Sequence, residues 1–145
     1  MIPFIAAIII SLSTIFGCKF AKSENKAWAY PLILSLYPVI YFCFALYAND
    51  NEALFNELIF AIPIFFICII SAIKNIKYSA FILAVGYIGH AIYDIIHHQL
   101  FINSGTPLWW PEFCGTVDLI IGIYLIFFAV GLPNNAIVTD SISST

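Results

Sequence analysis

The chain contains no arginine, and its five lysines form no basic stripe. That excludes nucleic-acid binding, which needs a positive surface to meet the phosphates. Charge of either sign is scarce: 9% of the 145 residues are charged and 63% are hydrophobic. A soluble domain carries roughly a quarter charged residues. A small globule still exposes much of its surface, so this apolar excess cannot be hidden inside one. A soluble domain of any size is excluded, and the surrounding solvent is expected to be lipid. Cysteine motifs are missing too. Cys18, Cys43, Cys68 and Cys114 are scattered, with no CxxC or zinc-knuckle spacing. The first three read as small apolar fillers of helices, whereas Cys114 sits beside a polar loop and stays open. The first apolar stretch lacks a positive n-region and an A-x-A-like site, and Phe16 is too bulky for a lipoprotein cleavage box. It therefore reads as a membrane helix, not a cleaved signal.

What is present is long apolar runs. A spanning helix needs about 20 mostly apolar residues, and five stretches qualify, at about 2–20, 28–48, 57–73, 78–101 and 115–132. The expected fold is an all-α integral membrane protein: one bundle over residues 1–132, then a polar tail over 133–145. Pro31 falls in the first turn of the second helix, where proline costs least, and Pro63 stands inside the third. Lys19, Lys22 and Lys26 lie between helices one and two, and Lys74 and Lys77 between three and four. The other two connections carry only acids among their charged residues. Positive residues stay cytoplasmic, so all five lysines agree on an N-terminus outside and a C-terminus inside. That bias fits a multi-pass protein of a bacterial inner membrane. Trp28, Trp109 and Trp110 suit the aromatic belts of the interfaces.

All three histidines gather in one stretch, "GHAIYDIIHHQLF" (89–101). Counted from Tyr78 at 1.5 Å per residue, His90 lies about 18 Å into the helix and His97 about 28 Å. At about 100° per residue, Asp94 is roughly 40° from His90, His97 roughly −20° and His98 roughly 80°. The four share one face, with Tyr93 at its border, in the outer half of the membrane. Ionisable residues inside a membrane are expensive and suggest function by default. Asp118, flanked by Gly115 and Gly122, is placed to approach them where small residues let helices close up. Glu57 opens the third helix from the same side. Both acids, read as first-turn residues, also suit the positive end of a helix dipole.

Imidazole and carboxylate together suit a divalent metal, with zinc first and iron or manganese as alternatives. The expected ligands are His90, Asp94, His97 and Asp118, with His98 and Glu57 as proton-carrying catalytic residues. The spacing H-x3-D-x2-H-H is not a zinc signature such as HExxH. A hydrogen-bonded packing network is the competing reading, because His, Asp and Tyr can tie helices together without binding anything.

The order His90, Tyr93, Asp94, His97, His98, then Pro107, Cys114, Gly115 and Asp118, resembles the bacterial membrane family known as domain-of-unknown-function family 6010. Glu57 in "NELIF" matches a glutamate that this family places before an aromatic-rich helix. The resemblance covers roughly the C-terminal half. The chain has Tyr93 where the family usually has tryptophan, and "FCGTVD" reverses the family's Gly-Cys order. The resemblance implies a small multi-span membrane protein and brings no activity with it.

Three functional classes follow from the residues. The first is a membrane-embedded, metal-dependent hydrolase acting on a lipid-like substrate near the outer leaflet. The second is a cation or proton carrier or sensor, in which histidine titration switches a transient site. The absence of an internal repeat weighs against a standard transporter, although a homo-oligomer could form a path. The third is a structural or accessory subunit with a polar core.

Overall fold

Asp50 accepts a hydrogen bond from the Ala53 backbone N–H (2.9 Å), and Asn75 accepts one from that of Tyr78 (3.2 Å). Each side chain satisfies a donor that the first turn of a helix would otherwise leave open, and so fixes where the helix begins. In this computed structural model, which describes residues 1–72 and 75–137, five helices follow in order: α1 (Ile2–Phe20), α2 (Ala29–Tyr47), α3 (Asn51–Ser71), α4 (Ile76–Leu100) and α5 (Trp110–Gly131). All five are long and apolar enough to cross a membrane. Lys74 and the tail beyond residue 137 lie outside the described residues.

The helices depart from the expected spans in a way that matters. The Asp50 cap starts α3 at Asn51, so Glu57 is its seventh residue and not part of its first turn. Pro111 occupies the first turn of α5, which begins at Trp110, so Asp118 is its ninth residue. The dipole effect fades within one turn, and it accounts for neither acid. The acids in the first turns are instead Glu52 and Glu112.

In space α4 packs most extensively on α5 and also meets α3; α1 lies on α5, and α2 on α3. Glycine makes the α4–α5 approach possible. A Cβ on Gly122 would lie 2.8 Å from Ile88 Cγ1, and one on Gly115 would lie 3.2 Å from Asp94 Cβ. Tyr87 and Leu34 carry the lighter α2–α4 contact: Tyr87 donates to the Tyr30 carbonyl (2.9 Å), and Leu34 fills the space beside Gly86. The core below these contacts is apolar, with Leu83, Ala84, Tyr87, Ile121 and Leu125 all buried. Outward faces carry Phe55, Phe66, Val85, Ile95 and Phe127, all exposed, as suits a lipid surround.

Two ends of the bundle differ. At one, Glu24 and Lys26 meet Ile76 and Phe128, and Glu24 accepts a hydrogen bond from the Tyr124 hydroxyl. There Lys77 donates to the Leu132 carbonyl (3.2 Å) and to Asn134 Oδ1 (2.8 Å). That places a cation just beyond the C-terminal end of α5, where the helix dipole favours one. At the other end Ile2 and Pro3 lie beside Trp109 and Phe113, and no lysine is present among the described residues. The α4–α5 connection folds over this second end. Ser104 donates to Asp50 (3.1 Å), and Gly105 sits so close to α2 that a Cβ would lie 1.9 Å from the Phe44 carbonyl oxygen.

Candidate metal centre

The α4–α5 seam brings four possible ligands together. His90 and Asp94 come from successive turns of α4, and Cys114 and Asp118 from successive turns of α5. One donor atom from each lies within 4.8 Å of every other, and all four residues are buried. His90 Nδ1 is 2.8 Å from Asp118 Oδ2 and 3.4 Å from Asp94 Oδ2. Cys114 Sγ is 3.9 Å from Asp118 Oδ2. Two ligands of one zinc ion stand at most about 4.6 Å apart, twice the longer ligand bond. The group is thus within small side-chain adjustments of coordination, and it could hold a metal.

Its charge and hydrogen bonding are incomplete. Two carboxylates and a thiol face one imidazole, with exposures of 2% or less. Tyr41 adds a neutral donor from α2, its hydroxyl giving a 2.7 Å hydrogen bond to Asp94 Oδ1, and the Cys114 thiol is a weak donor toward Asp118 Oδ2. His90 Nε2, Asp94 Oδ2 and Asp118 Oδ1 are buried with no hydrogen-bond partner among the described residues. A buried charge without a counter-charge is costly, and an unpaired buried polar atom costs about 1–3 kcal/mol. A cation among these ligands relieves both penalties.

A second polar group sits beside the first and differs from it. Glu57 accepts three hydrogen bonds: from His97 Nε2 (2.9 Å), Tyr93 Oη (2.7 Å) and Asn103 Nδ2 (2.8 Å). One carboxylate meets one imidazole and two neutral donors, so the acid is fully served, while His97 Nδ1 is buried with no hydrogen-bond partner among the described residues. Asn103, from the α4–α5 connection, also reaches the Tyr41 carbonyl (3.3 Å). Tyr41 separates the groups, its ring centroid 4.7 Å from that of His97 and 6.2 Å from that of His90.

The sequence-expected ligand set is therefore divided. His90, Asp94 and Asp118 come together. His97 stands outside that group and pairs with Glu57, and Cys114 is the fourth member of the group that could hold a metal. Of the two expected proton carriers, Glu57 is held in the second network, and His98 is exposed on the groove described next. Tyr41 and Asn103 were not anticipated. Tyr41 lies in an aromatic-rich helix where nothing local singles it out, and Asn103 is one polar residue of a polar loop. Cys114 had one signal: it precedes Asp118 by four residues, on the same helical face.

A groove of about 330 Å³ runs between α4 and α5 at the lysine-free end, lined by Asp94, Ile95, His98, Glu112, Thr116 and Leu119. Gly115 forms its wall next to the metal group, and its missing side chain leaves room beside Asp94 Oδ2. No family model, curated protein or solved structure matches the chain.

Proposed function

We propose that this protein binds a divalent metal, zinc first, through His90, Asp94, Cys114 and Asp118, and uses it as a membrane-embedded hydrolase on a lipid-like substrate. The observation that carries the metal is two buried carboxylates that share a single imidazole, with three polar atoms of the group lacking a hydrogen-bond partner among the described residues. The mixed imidazole, carboxylate and thiolate donors suit zinc, with iron or manganese as alternatives. A divalent metal there supplies a Lewis acid and activates water near neutral pH. His98, on the groove beside Asp94, is the group in place to carry a proton. The lysine pattern puts this end of the bundle on the outer side. The order of residues from Cys114 to Asp118, with His90 and Asp94 before it, also carries the proposed kinship with domain-of-unknown-function family 6010.

Access from one side favours this reading over a carrier. The groove reaches Asp94 from the lysine-free end, whereas Leu83, Ala84, Tyr87, Ile121 and Leu125 pack the seam on the other side. An ion crossing that apolar plug would lose every polar partner. The test is metal analysis of detergent-purified protein grown with excess zinc. The expected result is close to one metal per chain in the wild type and a large loss in His90→Ala and Asp118→Asn. Equal metal in wild type and both variants would rule out these ligands.

A further inference from the structure

We infer that the α4–α5 groove is the loading route for the metal, with Glu112 and His98 as the mouth that draws cations from water and passes them to Asp94. The inference rests on the metal reading above and goes beyond it.

The four ligands are at most 2% exposed, so an ion must arrive by a path through the surface. The groove provides one, because one of its lining residues is itself a ligand. Asp94 lines it, is 1% exposed, and keeps Oδ2 without a hydrogen-bond partner among the described residues, with His90 Nδ1 3.4 Å away. Gly115 makes the connection: a Cβ there would stand 3.6 Å from Asp94 Oδ2, so the missing side chain is what leaves that oxygen approachable.

The groove is also graded along its length. His98 is two residues from the end of α4, and Glu112 is the third residue of α5, so both lie where the helices reach the membrane surface. Both are exposed, and each offers a side chain that binds divalent cations. Asp94, Gly115 and Thr116 come one turn deeper, and Leu119 lines the groove another turn down. An ion arriving from water thus meets carboxylate and imidazole first, and then the Asp94 oxygen that has no hydrogen-bond partner among the described residues. No lysine or arginine among the described residues competes with a cation at this end. A negative mouth also raises the local concentration of cations, an effect that salt screens.

The test follows zinc uptake by metal-free purified protein in detergent, by competition with a chelating dye, at low and high salt. Glu112→Gln with His98→Ala should slow loading at low salt by about tenfold or more, and weaken its salt dependence. Thr116→Trp, which fills the groove, should slow loading at every salt concentration. Phe55→Ala, on a separate apolar groove with Leu54 and Leu58, should load at the wild-type rate. Final zinc content should stay at the wild-type level in all three. Wild-type loading rates in both Glu112→Gln/His98→Ala and Thr116→Trp overturn the route while leaving the metal site standing. A lower final content at an unchanged rate makes Glu112 or His98 a ligand and also overturns it. A wild type that never holds zinc overturns the metal reading itself, and the route with it.

Discussion

The bundle holds two buried polar groups about one helical turn apart, and they differ in how many acids each imidazole must serve. Around Glu57, one carboxylate receives three hydrogen bonds from His97, Tyr93 and Asn103. Around His90, two carboxylates and a thiol share one imidazole and one tyrosine hydroxyl, and three polar atoms have no hydrogen-bond partner among the described residues, against one, His97 Nδ1, in the Glu57 group. Both use the same residue types on the same face of α4. A histidine beside an acid inside a membrane is therefore not by itself a sign of a metal. The sign is an excess of ligands over the protons and donors available to satisfy them.

The largest effects should come from variants that treat the two groups unequally. His90→Ala and Asp118→Asn should lower zinc affinity by more than the about 10–100-fold seen when only a ligand's partner is lost. His97→Ala should keep its zinc, because His97 stands with Glu57; loss of zinc there, by metal analysis, would merge the two groups into one. Zinc at about 100 times its Kd should stabilise the wild type by about 2.7 kcal/mol, and His90→Ala hardly at all, in thermal unfolding with and without chelator.

Glu57→Ala is the reciprocal change. It strands three donors, of which those of His97 and Asn103 are buried, and should destabilise the fold by about 3 kcal/mol while leaving zinc content unchanged. A neutral effect on stability would mean that this network is not packing glue. Gly115→Ala acts between the two extremes. Its new methyl stands 3.2 Å from Asp94 Cβ, so α4 and α5 must part by a few tenths of an ångström. Zinc affinity should fall by about tenfold, with little change around Glu57. The smallest effect lies outside both groups. Asp50 is held below its usual carboxylate pKa, chiefly by the Ala53 N–H. A lowered folded pKa gives stability that is present above the ordinary carboxylate range and lost as pH falls through the lowered value. Hydrogen exchange at the start of α3 should therefore quicken in acid. Asp50→Asn should keep the cap and remove that pH dependence.

Much of the fold was legible because its causes are local. Length and hydropathy mark five helices, α1 at its observed bounds, and the glycines flanking Asp118 mark the close seam with α4. The start of α3 was misjudged because counting apolar residues overlooks the Asp50 cap, which adds a polar first turn. α5 also begins earlier than its apolar run, because Trp110 and Pro111 open it within what reads as loop. Those shifts matter chemically. They move Glu57 and Asp118 from helix ends, where a dipole could account for them, to positions where only partners across the bundle can.

The sequence by itself determined that the chain is a set of membrane-crossing helices and that His90, Asp94, His97 and His98 share one face of the fourth. Helical periodicity is a property of the backbone and needs no neighbour. Which residues face them is a property of the neighbours, and only the tertiary structure decided it. α4 packs between α5 and α3, so its polar face of about 100° is divided. Asp94 and His98, on one side of His90, turn toward α5, whereas Tyr93 and His97, on the other, turn toward Glu57 of α3. His90 itself meets Asp118 because Gly115 and Gly122 let the two backbones close. A few tens of degrees around one helix thus separate a group with two acids to one imidazole from a group with one acid to one imidazole.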